Sequence, residues 1–205
     1  MLKIIDISRG VFSSPVYPGD PEPQAKVLSR IGAESDCNLS AVKMCVHAGT
    51  HVDAPLHFIE KGKTIGDYDV GVFIGPCTVI EVPPGVITGE DAERMIPRKC
   101  ERLLIKGGGK AFFMDASAEV FADSGIKLVG TDSLSVGCKG NQVKPHKAFL
   151  GSGVAVLEGL DLTDVEPGQY FLFAPPVNFE GLEGAPARAV LIEDFIFWSA
   201  PQRNK

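Results

Sequence analysis

Apolar residues in this chain come in short bursts that end at glycine or proline, and most bursts alternate or run unbroken as strands do. On that pattern strands are predicted over residues 3–7, 41–46, 77–82, 102–105, 128–131, 154–158, 169–174 and 188–192. Helical signals are fewer. Residues 88–95 open on Thr88 as an N-cap, carry acids in the first turn and stop before Pro97. Residues 117–124 mix small, acidic and apolar positions ahead of Gly125, and residues 147–151 suit a short turn of helix. Residues 11–24 and 180–187 read as long loops, the kind that tends to carry function. Strands with a few helices outside them predict a mixed α/β layer architecture. No repeat, low-complexity tract or linker divides the chain, so residues 1–205 read as one domain.

One segment breaks the apolar rhythm. Residues 47–58 read His-Ala-Gly-Thr-His-Val-Asp-Ala-Pro-Leu-His-Phe and hold all but one of the chain's 4 histidines, plus an aspartate. His47, His51, Asp53 and His57 are all odd-numbered, so an extended backbone sends them to one face. A helix would align His47 with His51 but swing Asp53 away, and Gly49 and Pro55 oppose a helix in any case. The prediction is a strand or strand-like loop with one polar face. Imidazoles and a carboxylate crowded in this way, with small residues that let the backbone close round an ion, point to a metal site of zinc type.

His146 and Glu158 lie far along the chain. Glu158 interrupts the apolar run Val-Ala-Val-Leu-Glu-Gly-Leu, where a carboxylate is costly to bury unless paired or bound to a cation. Either it faces water at the strand end, which Gly159 permits, or it joins His146 and the first cluster around an ion.

The overall balance narrows the function classes. Hydrophobic residues at 44% and charged residues at 22% are ordinary for a soluble globular protein. A net charge of −6 argues against a nucleic-acid partner, which needs a basic face. No apolar run approaches the roughly 20 residues that span a bilayer, and Met-Leu-Lys-Ile-Ile-Asp-Ile-Ser lacks the apolar core of a signal peptide. Cys37, Cys45, Cys77, Cys100 and Cys138 form no Cys-x-x-Cys pair, which fits free thiols in a reducing cytoplasm. Cys45 alone lies close enough to the histidines to be considered as a further ligand.

The run at 47–58 resembles the signature of the metal-dependent cyclase family, whose best-known members are bacterial kynurenine formamidases (arylformamidases). Tyr-Pro-Gly-Asp at 17–20, Leu-Val-Gly-Thr-Asp-Ser-Leu-Ser-Val at 128–136 and Glu-Gly-Leu-Glu-Gly-Ala-Pro-Ala-Arg-Ala-Val-Leu at 180–191 extend the resemblance over nearly the whole chain. It implies that His47, His51, Asp53, His146 and Glu158 are metal ligands, with the carboxylates able to bridge a pair of zinc ions; manganese is the alternative metal. It implies His57 as general acid/base and Tyr17 as the aromatic, usually tryptophan, that contacts substrate. It further implies a swivelling β/β/α-type fold rich in short strands, assembled as a homodimer or homotetramer. The expected activity is metal-dependent hydrolysis of a C–N bond in a small amide, for example N-formylkynurenine to kynurenine and formate in tryptophan catabolism. Hydrolysis of a cyclic amide or lactone, or a cyclisation, keeps the same site, and a non-catalytic metal-binding protein is the alternative from another class.

This sequence departs from the formamidase pattern in three places. Tyr17 replaces the usual indole, Pro145 stands where a serine is expected, and the glycine-rich stretch at 107–109 is short enough to reshape the pocket wall. Gly107-Gly108-Gly109-Lys110 lacks the spacing of a phosphate loop and reads as a flexible turn. Asp132 is expected to cap a turn or orient a ligand, and Arg188 to pair with a substrate carboxylate or with a core acid such as Asp132. Phe171, Phe173, Phe195, Phe197 and Trp198 are expected in the core or at a subunit interface.

Overall fold

The computed structural model describes residues 3–193. Among them the strands are β1 (Lys3–Asp6), β2 (Gln24–Ser29), β3 (Leu39–Lys43), β4 (His51–Asp53), β5 (Ile74–Glu81), β6 (Gly85–Ile87), β7 (Arg102–Lys106), β8 (Ala111–Phe113), β9 (Leu128–Thr131), β10 (Ala155–Glu158), β11 (Gly168–Phe173), β12 (Gly184–Pro186) and β13 (Val190–Glu193). The helices are α1 (Gly89–Met95), α2 (Asp115–Asp123) and α3 (Val143–Gly151). The main sheet runs β1-β13-β11-β5-β7-β9-β10-β4-β12. Its centre, β5-β7-β9-β10, is parallel, and its flanks are antiparallel.

Strands β7, β9 and β10 are largely apolar because both of their faces are covered, as parallel strands require, whereas β5 alternates between buried and more exposed positions. Leu103, Ile105, Val129 and Val156 point into a core shared with Phe113, Phe121 and Phe149, on the side of the helices. Leu104, Leu128 and Leu157 point the other way, into a core with Ile7, Val52, Leu172, Ala185 and Leu191. That second cluster joins strands from both ends of the sheet order, so the sheet curls on itself. The mixed α/β expectation therefore holds. Helix α1 is fixed by a reciprocal cap: the Thr88 hydroxyl accepts the Asp91 N–H at 3.2 Å, and Asp91 Oδ2 accepts the Thr88 N–H at 3.0 Å. No helix among the described residues is long and apolar enough to cross a membrane.

Several expectations need correction. The loop at 180–187 contains a strand, β12, which pairs with β4 although its Gly-Ala-Pro sequence has little strand propensity. The stretch 47–57 is not one extended face. Only His51–Asp53 is strand; Gly49 turns the chain at φ +69°, and His57 ends a single 3-10 turn, Pro55–His57. Helix α3 opens at Val143, with Pro145 in its first turn, where a missing N–H removes no helical hydrogen bond. Glu158 is buried, not turned to water. Both carboxylate oxygens of Asp132 accept the Gly107 N–H, which gives Asp132 the turn-capping role. Arg188 pairs with Asp6 of β1 and not with Asp132. Phe171 is half-buried and Phe173 exposed on β11, while Phe195, Phe197 and Trp198 lie outside the described residues.

Candidate metal centre and its cavity

Strand register alone assembles most of the centre. In the antiparallel pair β10–β4, Glu158 stands opposite His51, and opposed residues share a face. Asp53, two residues on from His51, projects from that same face. The backbones here approach too closely for side chains at three points. A Cβ on Gly159, at φ +68°, would come within 2.6 Å of the Gly49 carbonyl oxygen, and one on Gly49 within 3.1 Å of the Arg9 carbonyl oxygen. A Cβ on Gly184, opposite Asp53 in β12, would lie 2.9 Å from His47 Cε1. Buried Thr50 clips the crossing by donating to the Gly159 carbonyl at 2.6 Å while accepting the Arg9 N–H at 2.8 Å.

His146 arrives from α3. Its ring stacks on Phe58 with centroids 4.3 Å apart, and its Nδ1 sits 2.7 Å from the Gln142 carbonyl oxygen. His51 Nδ1 similarly sits 3.0 Å from the Gly49 carbonyl oxygen. A carbonyl oxygen only accepts, so each Nδ1 carries a hydrogen and each Nε2 faces inward, offering its lone pair to an ion once the ring is neutral. Toward those Nε2 atoms lie two carboxylates. His51 Nε2 is 3.4 Å from Asp53 Oδ1 and 3.5 Å from Glu158 Oε2; His146 Nε2 is 3.5 Å from Asp53 Oδ2 and 3.2 Å from Glu158 Oε1. His47 Nδ1 adds a contact at 2.9 Å to Asp53 Oδ1, and Glu158 Oε1 also accepts the Val136 N–H at 2.7 Å.

The arrangement fits divalent ions. His47 Nε2, His51 Nε2 and Asp53 Oδ2 are buried without any hydrogen-bond partner, a costly state for polar atoms that nothing coordinates. The ligand atoms of His47, His51 and Asp53 lie within 4.8 Å of one another, as do those of Asp53, His146 and Glu158. Asp53 belongs to both groups and turns one oxygen toward each. Nitrogen and oxygen donors without thiolate suit zinc or manganese. Cys45 stands in neither group; its thiol points to Asp20 Oδ2 at 3.7 Å.

Electrostatics in the cluster oppose burial. Burial pushes the His146 imidazole down, but the carboxylates of Asp53 and Glu158 outweigh it and lift it to about 10. The same contest leaves His51 well above its ordinary value. Burial would raise Asp53, yet the imidazoles of His146, His47 and His51 hold it well below the usual carboxylate range; Glu158 is lowered by the same neighbours against burial and the Asp53 charge. His57 goes the other way, and burial pushes it below its ordinary value.

A cavity of about 200 Å³ opens onto the centre, lined among others by Tyr17, Asp20, His57, Phe58, Ser135 and Gln142. The His57 ring lies 4.1 Å from that of His47, and no described residue hydrogen-bonds its nitrogens. A larger hollow of about 500 Å³ lies between β5, β11 and residues 97–101 and contains no imidazole, so size alone would misplace the site. The glycine stretch at 107–109 does not line the cavity. Phe58, Asp20, Gln142 and the Val136 amide went unassigned from sequence. Phe58 and Asp20 lie within the motifs at 47–58 and 17–20, but a backbone amide or carbonyl leaves no sequence signal.

Residues 5–137 match the family model named Cyclase. The kynurenine formamidase of Salinibacter ruber is 36% identical, over 93% of this chain and 97% of that protein. The solved structure of a "potential metal-dependent hydrolase with cyclase activity" is 30% identical with a TM-score of 0.83, over 96% of this chain and all of the other. Isatin hydrolase A of Labrenzia aggregata has a TM-score of 0.81 over 93% of each chain; at 18% identity it is a likeness of fold alone. A site of this geometry, in a chain with these relatives, carries the family assignment: the protein belongs to the cyclase family.

Proposed function

We propose that this chain, as one domain over residues 1–205, is a metal-dependent hydrolase of the C–N bond in a small amide, with N-formylkynurenine as the model substrate. The observation that carries the reading is the pair of donor groups sharing Asp53 beside a cavity that holds an uncommitted imidazole. His47, His51, Asp53, His146 and Glu158 would hold the metal, which we take to be a pair of zinc ions with manganese able to substitute. Bound there, divalent ions make water a usable nucleophile near neutral pH and polarise a carbonyl oxygen.

The chain's own groups supply the rest. Asp53 and Glu158 fix the spacing of the donors, while the Gln142 and Gly49 carbonyls hold the two imidazole tautomers. His57, free of internal hydrogen bonds, takes a proton from the attacking water and delivers it to the leaving nitrogen as the C–N bond breaks and the C–O bond forms. Its depressed proton affinity keeps the ring neutral, as a base must be. Tyr17, which lines the cavity, would meet the aryl group. The protein would act on a freely diffusing substrate in the cytoplasm and assemble as a homodimer or homotetramer.

Chelation should abolish turnover of formanilides and zinc or manganese should restore it. His57→Ala should keep its zinc and lose about 10²–10⁴-fold in kcat. Full activity in that variant would remove His57 from the reaction, and metal binding with no turnover of any amide would leave a non-catalytic metal protein.

A further inference from the structure

The turn Tyr17-Pro18-Gly19-Asp20 places an acid where the metal chemistry has no use for one. Asp20 N–H donates to the Tyr17 carbonyl at 3.0 Å, and Gly19 takes φ +109°. Pro18 followed by a positive-φ glycine is the sequence of a type II turn. The turn holds Tyr17 and Asp20 three residues apart, and both line the cavity. Asp20 belongs to neither donor group of the metal centre. No lysine or arginine among the described residues pairs with it, and its carboxylate accepts one hydrogen bond, a weak one from the Cys45 thiol. The cavity lining also contains no lysine or arginine.

We propose that Asp20, together with Tyr17, forms the specificity-determining corner that receives a protonated amine of the substrate. The inference rests on the hydrolase reading for the reaction and narrows its substrate class to amides bearing an ammonium group. A carboxylate supplies a charge-assisted hydrogen bond and an aromatic face supplies a cation–π contact, and both favour a cation over its neutral isostere. The amino-acid arm of N-formylkynurenine carries such an amine.

The test uses two formanilides that differ only in an ortho side chain ending in ammonium or in hydroxyl, together with their aniline products. On zinc-loaded protein at neutral pH, calorimetry should show the ammonium aniline binding about tenfold tighter or more than the hydroxyl one. Asp20→Asn should erase that preference, and Asp20→Glu should restore part of it. The ratio of kcat/KM for the two formanilides should fall about 10–100-fold in Asp20→Asn, through KM, with zinc content unchanged. Equal binding of both anilines by the unaltered protein, or a preference that survives Asp20→Asn, overturns the assignment. If neither formanilide is hydrolysed, the hydrolase reading fails while the calorimetric comparison still decides the role of Asp20.

Discussion

Replacing Gly184 by alanine isolates the support of a single proposed metal ligand, His47. The added methyl would lie 2.9 Å from His47 Cε1, 2.9 Å from the Val52 carbonyl oxygen and 3.4 Å from His47 Nδ1. Comfortable contact between carbons begins near ~3.5 Å, so one partner must retreat by roughly 0.6 Å. Val52 cannot, because β4 is held by β10 on one side and β12 on the other. The His47 ring yields instead and loses its alignment with Asp53. Overpacking of this kind costs about 1–3 kcal/mol. For a chain of this size that lowers Tm by about 2–4 °C per kcal/mol. Disturbing the support of a ligand weakens metal binding by about 10–100-fold. At a fixed saturating zinc concentration, each tenfold removes about 1.4 kcal/mol of the stabilisation zinc provides. Thermal melts across a zinc titration, with equilibrium dialysis, separate the two effects. Gly32→Ala is the control, since no atom lies within 4 Å of its would-be Cβ. A zinc-dependent rise in Tm equal to that of the unaltered protein would refute the claim that this glycine positions His47.

Glu158→Gln keeps an acceptor for the Val136 N–H but removes the charge, so zinc stoichiometry should fall from about two per chain to about one; unchanged stoichiometry by elemental analysis would take Glu158 out of the ligand set. The pKa of His146 stands at about 10 against an ordinary 6.5. Its contribution to the ion-free protein is therefore full below about pH 6.5 and lost as pH climbs through about 10, and the urea midpoint without metal should be lower at about pH 10 than at about pH 7. Zinc must displace that proton, so its affinity should rise with pH between about 6 and 9; an affinity flat across that range in competition titrations would contradict the protonated ion-free cluster.

The central sheet was legible because its strands are buried on both sides, and burial writes itself as uninterrupted apolar runs such as Leu103 to Ile105. The donors were legible because imidazole and carboxylate have few other reasons to crowd into residues 47–58. Their convergence came by a different route from the one the spacing suggested. The odd-numbered positions share a face only across His51 and Asp53, and Gly49 and Pro55 bend the chain to bring in His47 and His57. Strand β12 was invisible because three residues containing glycine and proline have no strand signal of their own; partners supply it. Glu158 could be weighed but not placed, since only pairing with β4 decides whether it meets His51 or water.

Because the candidate donors lie on and just before β4, on α3 and on β10, the centre cannot exist in any fragment of the growing chain that ends before residue 158. A ribosome-bound nascent polypeptide would offer an ion only the loose grip of a few unanchored imidazoles. Tight loading therefore waits for the pairing of β10 with β4 and serves as a seal on that closure. Chains that stall or misregister would stay empty, and an enzyme built this way is switched on by completing its own assembly.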